Sequence, residues 1–391
     1  MKKAIQFGAG KIGRGFLGEL FNQSGYEVVF VDIDEKVITH LNKKRAYQIK
    51  IIGNNADVIE IKNVRGISAR DQERVGSEIA TAQIAATAVG ARALKAIAPL
   101  IAMGLERRAT LKVKNPLNII ICENLLHSSQ ILRQYIWKEL STGGRVYAEN
   151  HLGLVESVVS RMVPVVSEKE KEKDPLLITA EEYATLPVDK KGFTGEIPKI
   201  KGIIPCDNLP AYAERKLFTH NTGHALCSYW GYLKGYRYIF EVMQDSKIRN
   251  MVLKALGESS KALIKRHGFS TQEHQEYIKD IMRRFNNVAL KDSVARGAKD
   301  PIRKLGPQER LVGVANLVKE YEIEPEYLAQ GIAAALCYDN PEDEQAIELS
   351  GKLKNEGLDA VLKDICNLEP EDKLTLLIKE KLKEVNMFKV R

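Results

Sequence analysis

Cysteine is scarce in this chain. The five present are an odd number, scattered at Cys122, Cys206, Cys227, Cys337 and Cys366, with no CxxC pair among them. Such spacing argues against a disulfide framework and a structural zinc site, and it suits a reducing compartment. Long apolar runs are missing too: none reaches the roughly 18 residues of a membrane span. Met1–Phe7 has the charged start of a secretory leader. Its apolar part is too short for one, and Gly8, Gly10, Lys11 and Arg14 break it up. A cytoplasmic protein with no membrane partner is therefore expected. Internal repeats, low-complexity tracts and any interleaving of aromatic with basic residues are also lacking, so no nucleic-acid partner is expected. The net charge of +8 is then read as attraction for an anionic cofactor and an anionic small substrate.

What is present is ordinary for a globular protein: 391 residues, 44% hydrophobic and 28% charged. That is room for two or three domains with sizeable cores. The first third alternates strand-like and helix-like segments, which predicts an α/β layered domain. Ala4–Phe7, Glu27–Val31, Ile84–Val89 and Asn118–Cys122 read as strands. Tyr47–Val64 reads as a hairpin around Gly53-Asn54-Asn55, and Arg145–Ala148 as one more strand. The charge run VSEKEKEKDP reads as a solvated loop. Beyond Ala211 the pattern turns helical. The expected architecture is an α/β N-terminal Rossmann-type domain over residues 1–205, followed by a mainly α-helical C-terminal domain over residues 206–391.

Gly8-Ala9-Gly10-Lys11-Ile12-Gly13 is a GxGxxG turn. Glycine-rich turns are common, but this one follows a strand and opens a helix, and the next strand ends at Asp32, 19 residues after Gly13. Gly8 permits the tight turn, Gly10 lets the backbone approach a pyrophosphate, and Gly13 lets helix and strand pack closely. The helix N-terminus offers free N–H groups to phosphate, and Arg14 is positioned to add a charged donor. Asp32 would accept hydrogen bonds from the adenosine ribose and repel a 2′-phosphate. NAD is thus preferred over NADP, with FAD left open. Thr87 and Val89, at the end of a later strand, would border the nicotinamide half.

Glu214–Leu226 (ERKLFTHNTGHAL) combines the apolar residues of a buried helix with Lys216, His220, Asn221 and His224. At about 100° per residue these four share an arc of about 140°. A hydrated helix face would look the same. The chemistry of alcohol oxidation favours a site: it needs a base for the hydroxyl proton and donors for the developing alkoxide. No Cys/His cluster has zinc-ligand spacing, so no metal is expected. A lysine can serve as base if burial and nearby charge lower its pKa.

Lys216–His224 matches K-x4-N-x2-H, and FGAGKIGRGFLG, NIIICEN (Asn118–Asn124), ERKLFTHNTGHA (Glu214–Ala225) and DPIRKLGPQERL (Asp300–Leu311) accompany it. On these segments the chain resembles the polyol-specific long-chain dehydrogenases, over nearly its whole length. The resemblance implies a metal-free, NAD-dependent oxidoreductase converting D-mannitol 1-phosphate reversibly to D-fructose 6-phosphate. Lys216 takes the part of general base, Asn221 and Asn124 hold the reacting oxygen, and His224 orients the substrate hydroxyls and the lysine. His220 lies outside the motif and reads as a bystander.

Phosphate recognition calls for cationic groups. Arg296, Arg303, Lys304 and Arg310 cluster in one segment, with Arg303 and Lys304 the first candidates and Arg296 next. Two positions depart from the resembling pattern: Lys11 stands where asparagine is usual, and Ser160 where an acidic residue is expected. A relative acting on a non-phosphorylated sugar or uronate, an NAD-binding regulatory protein and a nucleic-acid binder remain the alternatives. The oligomeric state is left open.

Overall fold

Eleven strands and a larger number of helices make up the computed structural model, which describes residues 2–53, 57–125 and 127–386. They fall into two compact units, Met1–Tyr212 and Ala213–Arg391.

The strands all belong to the first unit: β1 (Lys2–Phe7), β2 (Tyr26–Asp32), β3 (Ala46–Ile52), β4 (Asp57–Lys62), β5 (Val64–Ser68), β6 (Ile84–Thr87), β7 (Leu117–Ile121), β8 (Leu152–Glu156), β9 (Ile178–Glu181), β10 (Leu186–Asp189) and β11 (Ile203–Cys206). Six form a parallel sheet in the order β5-β2-β1-β6-β7-β8. A parallel sheet covered on both faces needs strands with near-continuous apolar runs, and residues 28–31 of β2 and residues 119–121 of β7 meet that need. On β2, Val28 and Phe30 enter one core while Val29 and Val31 enter the core on the opposite face. The chain first builds outward from β1 through β2 to β5, then returns to lay β6 along the other side of β1. This reversal puts a crevice at the carboxyl ends of β1 and β6, where open α/β sheets bind ligands.

The expected hairpin is present as antiparallel β3 and β4, with Ile49 opposite Ile59, and β9 joins β3 in parallel. Asn54 and Asn55 of its turn lie outside the described residues. Arg145–Ala148 is not a strand. It lies inside the helix Thr142–His151, which Ser141 starts by accepting from the Gly144 N–H. The strand comes immediately after, as β8. Nor is the charge run all loop. Glu168–Lys173 is a short exposed helix, closed by a capping box between Ser167 and Glu170.

The second unit is helical. Its central helix, Thr222–Leu233, is apolar nearly all round, with Ala225, Leu226, Cys227, Ser228, Tyr229 and Trp230 all buried. A helix of that composition must be covered on every side. Ile239–Gln244, Ser246–His267, Val294–Ala298 and Glu326–Leu336 pack against it.

Candidate active site

The GxGxxG turn has the backbone its glycines imply. Gly8 sits at φ +91°, and a Cβ there would lie 2.4 Å from the Ala88 carbonyl oxygen. At Gly13 a Cβ would lie 1.9 Å from the Gly8 carbonyl oxygen, while one on Gly10 would meet nothing within 4 Å. Gly8 and Gly13 therefore close the turn, and Gly10 leaves its outer side approachable. Ala9 is buried, Ile12 half-buried and Lys11 exposed. The Asp32 carboxylate accepts from the Ala9 N–H at 2.6 Å and the Asp34 N–H at 2.9 Å. It faces the turn and remains part-exposed, with lone pairs to offer a ribose. These features fit a dinucleotide.

Arg14 does not point at such a ligand. It is only 7% exposed, and it donates to the carbonyls of Ala9 at 2.6 Å and Leu176 at 2.7 Å. The Ala9 carbonyl of the turn and the Leu176 carbonyl just before β9 draw the guanidinium inward, so Arg14 ties the turn to the segment leading into β9. The helix start is a wide turn, in which the Gly18 N–H reaches back five residues to Gly13.

At the end of β6, Thr87 is fully buried, and its hydroxyl has no hydrogen-bond partner. Val89 is half-buried. Its N–H and that of Gly90 donate to the two carboxylate oxygens of Glu123, at 2.9 and 2.8 Å. Glu123 thus fixes the loop that borders the crevice, a role its place in NIIICEN did not disclose. Asn124, next in the chain, is exposed.

The helix Leu209–Arg215, within which the second unit begins at Ala213, runs into a wide turn over Lys216–Asn221 before Thr222–Leu233 continues. The Thr222 N–H bonds the Leu217 carbonyl, five residues back, so a uniform 100° step does not describe this segment. The Thr222 hydroxyl secures the turn by donating to the Arg310 carbonyl at 2.7 Å. Such wide turns are frequent at functional sites.

Lys216 emerges from this turn half-buried, with no carboxylate partner among the described residues. Burial, with the positive charges of Arg310 and Arg284, lowers its pKa to about 8. His224 places Nε2 2.8 Å from Asp292 Oδ2. Burial alone would raise the Asp292 carboxyl, but His224 and Arg296 outweigh it and hold it at about 2. Phe285 tilts against both His220 and His224, at 5.5 and 5.7 Å between ring centres. His220 is buried, and its Nδ1 lies 3.3 Å from Asn221 Oδ1. Burial first, then Arg284, His224 and Lys216, keep it uncharged, well below the usual histidine value.

The expected anion anchors have varied surroundings. Arg303 is half-exposed, in long contacts of 3.4 Å with Asp300 and 3.5 Å with Glu309. Arg296 is paired with Asp292 through Nε at 3.2 Å and Nη2 at 2.5 Å. Lys304 is buried, and two of its three N–H donors go to the carbonyls of Gly297 and Lys299. Burial, then Arg310 and Arg303, lower it to about 7. Arg310 is largely buried against Glu309 and charges the surroundings of both lysines.

Sequence reasoning missed Asp292, Arg284 and Glu123. Each acts on a residue far along the chain, which no local pattern reveals.

Two family models match the chain, the mannitol dehydrogenase Rossmann domain over residues 2–202 and the mannitol dehydrogenase C-terminal domain over residues 208–386. The chain belongs to the mannitol dehydrogenase family. Its N-terminal unit is the family's Rossmann domain, and the family is one of oxidoreductases. Among its relatives are mannitol-1-phosphate 5-dehydrogenases. That of Geobacillus stearothermophilus is 40% identical, covering 96% of this chain and 98% of its own. That of Bacillus subtilis is also 40% identical, over 97% and 100%, and that of an Exiguobacterium species 42% identical, over 96% of both. The fold is shared with a D-sorbitol dehydrogenase structure (TM-score 0.83, 17% identity, 98% and 93% covered). It is shared as well with Pseudomonas fluorescens mannitol 2-dehydrogenase in ternary complex with NAD and D-mannitol (TM-score 0.71, 15% identity, 99% and 93% covered). Among the described residues no helix is long and apolar enough to cross a membrane, and no three His, Cys, Asp or Glu side chains gather to hold a metal ion.

Proposed function

We propose that the protein catalyses the reversible oxidation of D-mannitol 1-phosphate to D-fructose 6-phosphate in the cytoplasm, with NAD as the hydride acceptor and Lys216 as the base. The observation that carries this reading is the state of Lys216: an amine with no carboxylate partner among the described residues, lowered to about 8 by burial and two arginines. It is uncharged in a useful fraction of molecules near neutral pH, as a general base must be.

Bound NAD supplies the electron-pair acceptor. Gly8, Ala9, Gly10, Lys11, Ile12 and Gly13 hold its pyrophosphate in this reading, Asp32 its ribose, and Thr87 and Val89 border the nicotinamide. The exposed Ile33, 71% accessible, offers an apolar face next to Asp32 for the adenine. As the C–H bond gives up hydride, Lys216 takes the hydroxyl proton. Asn221 and Asn124 donate to the oxygen as negative charge grows on it, and His224 holds a hydroxyl of the substrate. Arg303, the remaining donor of Lys304, Arg296 and Arg310 form the cationic surroundings of the phosphate, which anchors one end of the polyol and so positions the reacting carbon at the other.

The test is NADH formation by chelator-treated protein, with mannitol 1-phosphate and mannitol in parallel. Turnover confined to the phosphate ester is expected. Turnover with mannitol alone would remove the phosphate anchor, and turnover with neither would turn attention to uronates and other polyols.

A further inference from the structure

We propose that Asp292 is a positioning residue for the reaction: by accepting the Nε2 proton of His224, it fixes the tautomer and the ring orientation in which His224 meets the substrate. This rests on the dehydrogenase reading above and names a working part that the K-x4-N-x2-H motif does not contain.

The geometry is specific. Nε2 lies 2.8 Å from Asp292 Oδ2, and the side chains of His224 and Asp292 are only 17% and 9% exposed. A neutral imidazole carries one N–H, and an ionised carboxylate can only accept. The proton therefore sits on Nε2, and Nδ1 is left with a lone pair. That lone pair is the group available to accept a hydroxyl hydrogen from the polyol. A histidine that meets a substrate needs its other nitrogen committed in this way, since the bond at one nitrogen decides what the second can do.

The surroundings leave the ring one orientation. Phe285 lies against it at 5.7 Å. On the helix Val294–Ala298, Gly297 comes so close that a Cβ would stand 2.7 Å from His224 Cε1. Arg296, one turn after Asp292, binds the second carboxylate oxygen through Nε at 3.2 Å and Nη2 at 2.5 Å. Asp292 is thereby pinned from both sides, with Oδ1 on Arg296 and Oδ2 on His224. The expected phosphate ligand Arg296 thus has a second task in the same unit.

The test is a double-mutant cycle on the full-length enzyme with Asp292→Asn, His224→Ala and the two combined. Mannitol 1-phosphate oxidation, NADH affinity by fluorescence and the melting temperature are measured for each. Asn has the shape of Asp but can present its NH₂ to Nε2, which favours the other tautomer. Asp292→Asn should lower kcat/KM roughly 10–100-fold, the usual scale when a group that orients another is removed, and leave NADH affinity unchanged. In the His224→Ala background the same change should cost less than about twofold, because its effect runs through the missing ring. Asp292→Glu, which keeps the charge, should recover part of the loss and separates this role from a folding defect. Equal losses in both backgrounds, or no loss from Asp292→Asn at all, would overturn the proposal while leaving the dehydrogenase reading intact. An inactive wild-type protein would overturn both.

Discussion

The proposed part of Lys216 as base draws on three conditions that meet in one residue: partial burial, two neighbouring guanidiniums and no carboxylate partner among the described residues. The sign of its pH dependence follows. Polyol oxidation needs the neutral amine, so kcat/KM for oxidation should climb with pH, bend near 8 and level off above. Ketone reduction needs the ammonium form and should decline above that point. Arg310 contributes repulsion that favours the neutral form. Arg310→Met should therefore move the oxidation limb to higher pH, toward the ordinary lysine value, which a pH–rate profile reads directly. A limb that stays in place would show that burial and Arg284 set the lysine without Arg310. The candidate residues near this base were legible because K-x4-N-x2-H is local. Asp292, 68 residues beyond His224, and Arg284 were not, since nothing at short range ties them to the motif.

At the scale of elements, two wide turns interrupt helices where chemistry is expected, Gly13–Leu17 and Lys216–Asn221. The first is locked by Gly13 against the Gly8 carbonyl. Gly13→Ala should destabilise the protein by about 1–3 kcal/mol through overpacking and weaken NADH binding, checked by urea unfolding and fluorescence titration. Elsewhere in the Rossmann unit, Arg161 and Glu19 form a buried ion pair at 2.5 Å, with side chains only 1% and 5% exposed. Glu19→Gln leaves the arginine charge uncompensated, and a loss of about 3–5 kcal/mol is expected. A change under 1 kcal/mol by denaturant titration would contradict this.

The glycine turn and most strands of the sheet were readable because each depends on residues close together in sequence. The wide turns were not, since the choice between a four- and five-residue hydrogen bond depends on packing around Thr222 and Arg310. Arg145–Ala148 misled because Val146 and Tyr147 favour strands, whereas the Ser141 cap decides for helix. The capping box at Ser167 and Glu170 was in plain view and was outweighed by the density of charge around it.

For the whole molecule, the charge of +8 should attract a dianionic substrate and an anionic cofactor. Steering of this kind is screened by salt, so kcat/KM for the phosphate ester should fall as ionic strength rises, while kcat changes little. Chelation should leave turnover unchanged; a loss restored by zinc would remove Lys216 from its central position. The account as a whole stands on that lysine as the proton acceptor. Its most direct test is single-turnover NADH formation from mannitol 1-phosphate by wild type and Lys216→Met across pH 6 to 10. The account predicts a wild-type rate that rises through about pH 8, and a variant that binds NADH but turns over roughly 10²–10⁴-fold more slowly, without that limb. A variant with near-normal turnover and the same pH limb would contradict it.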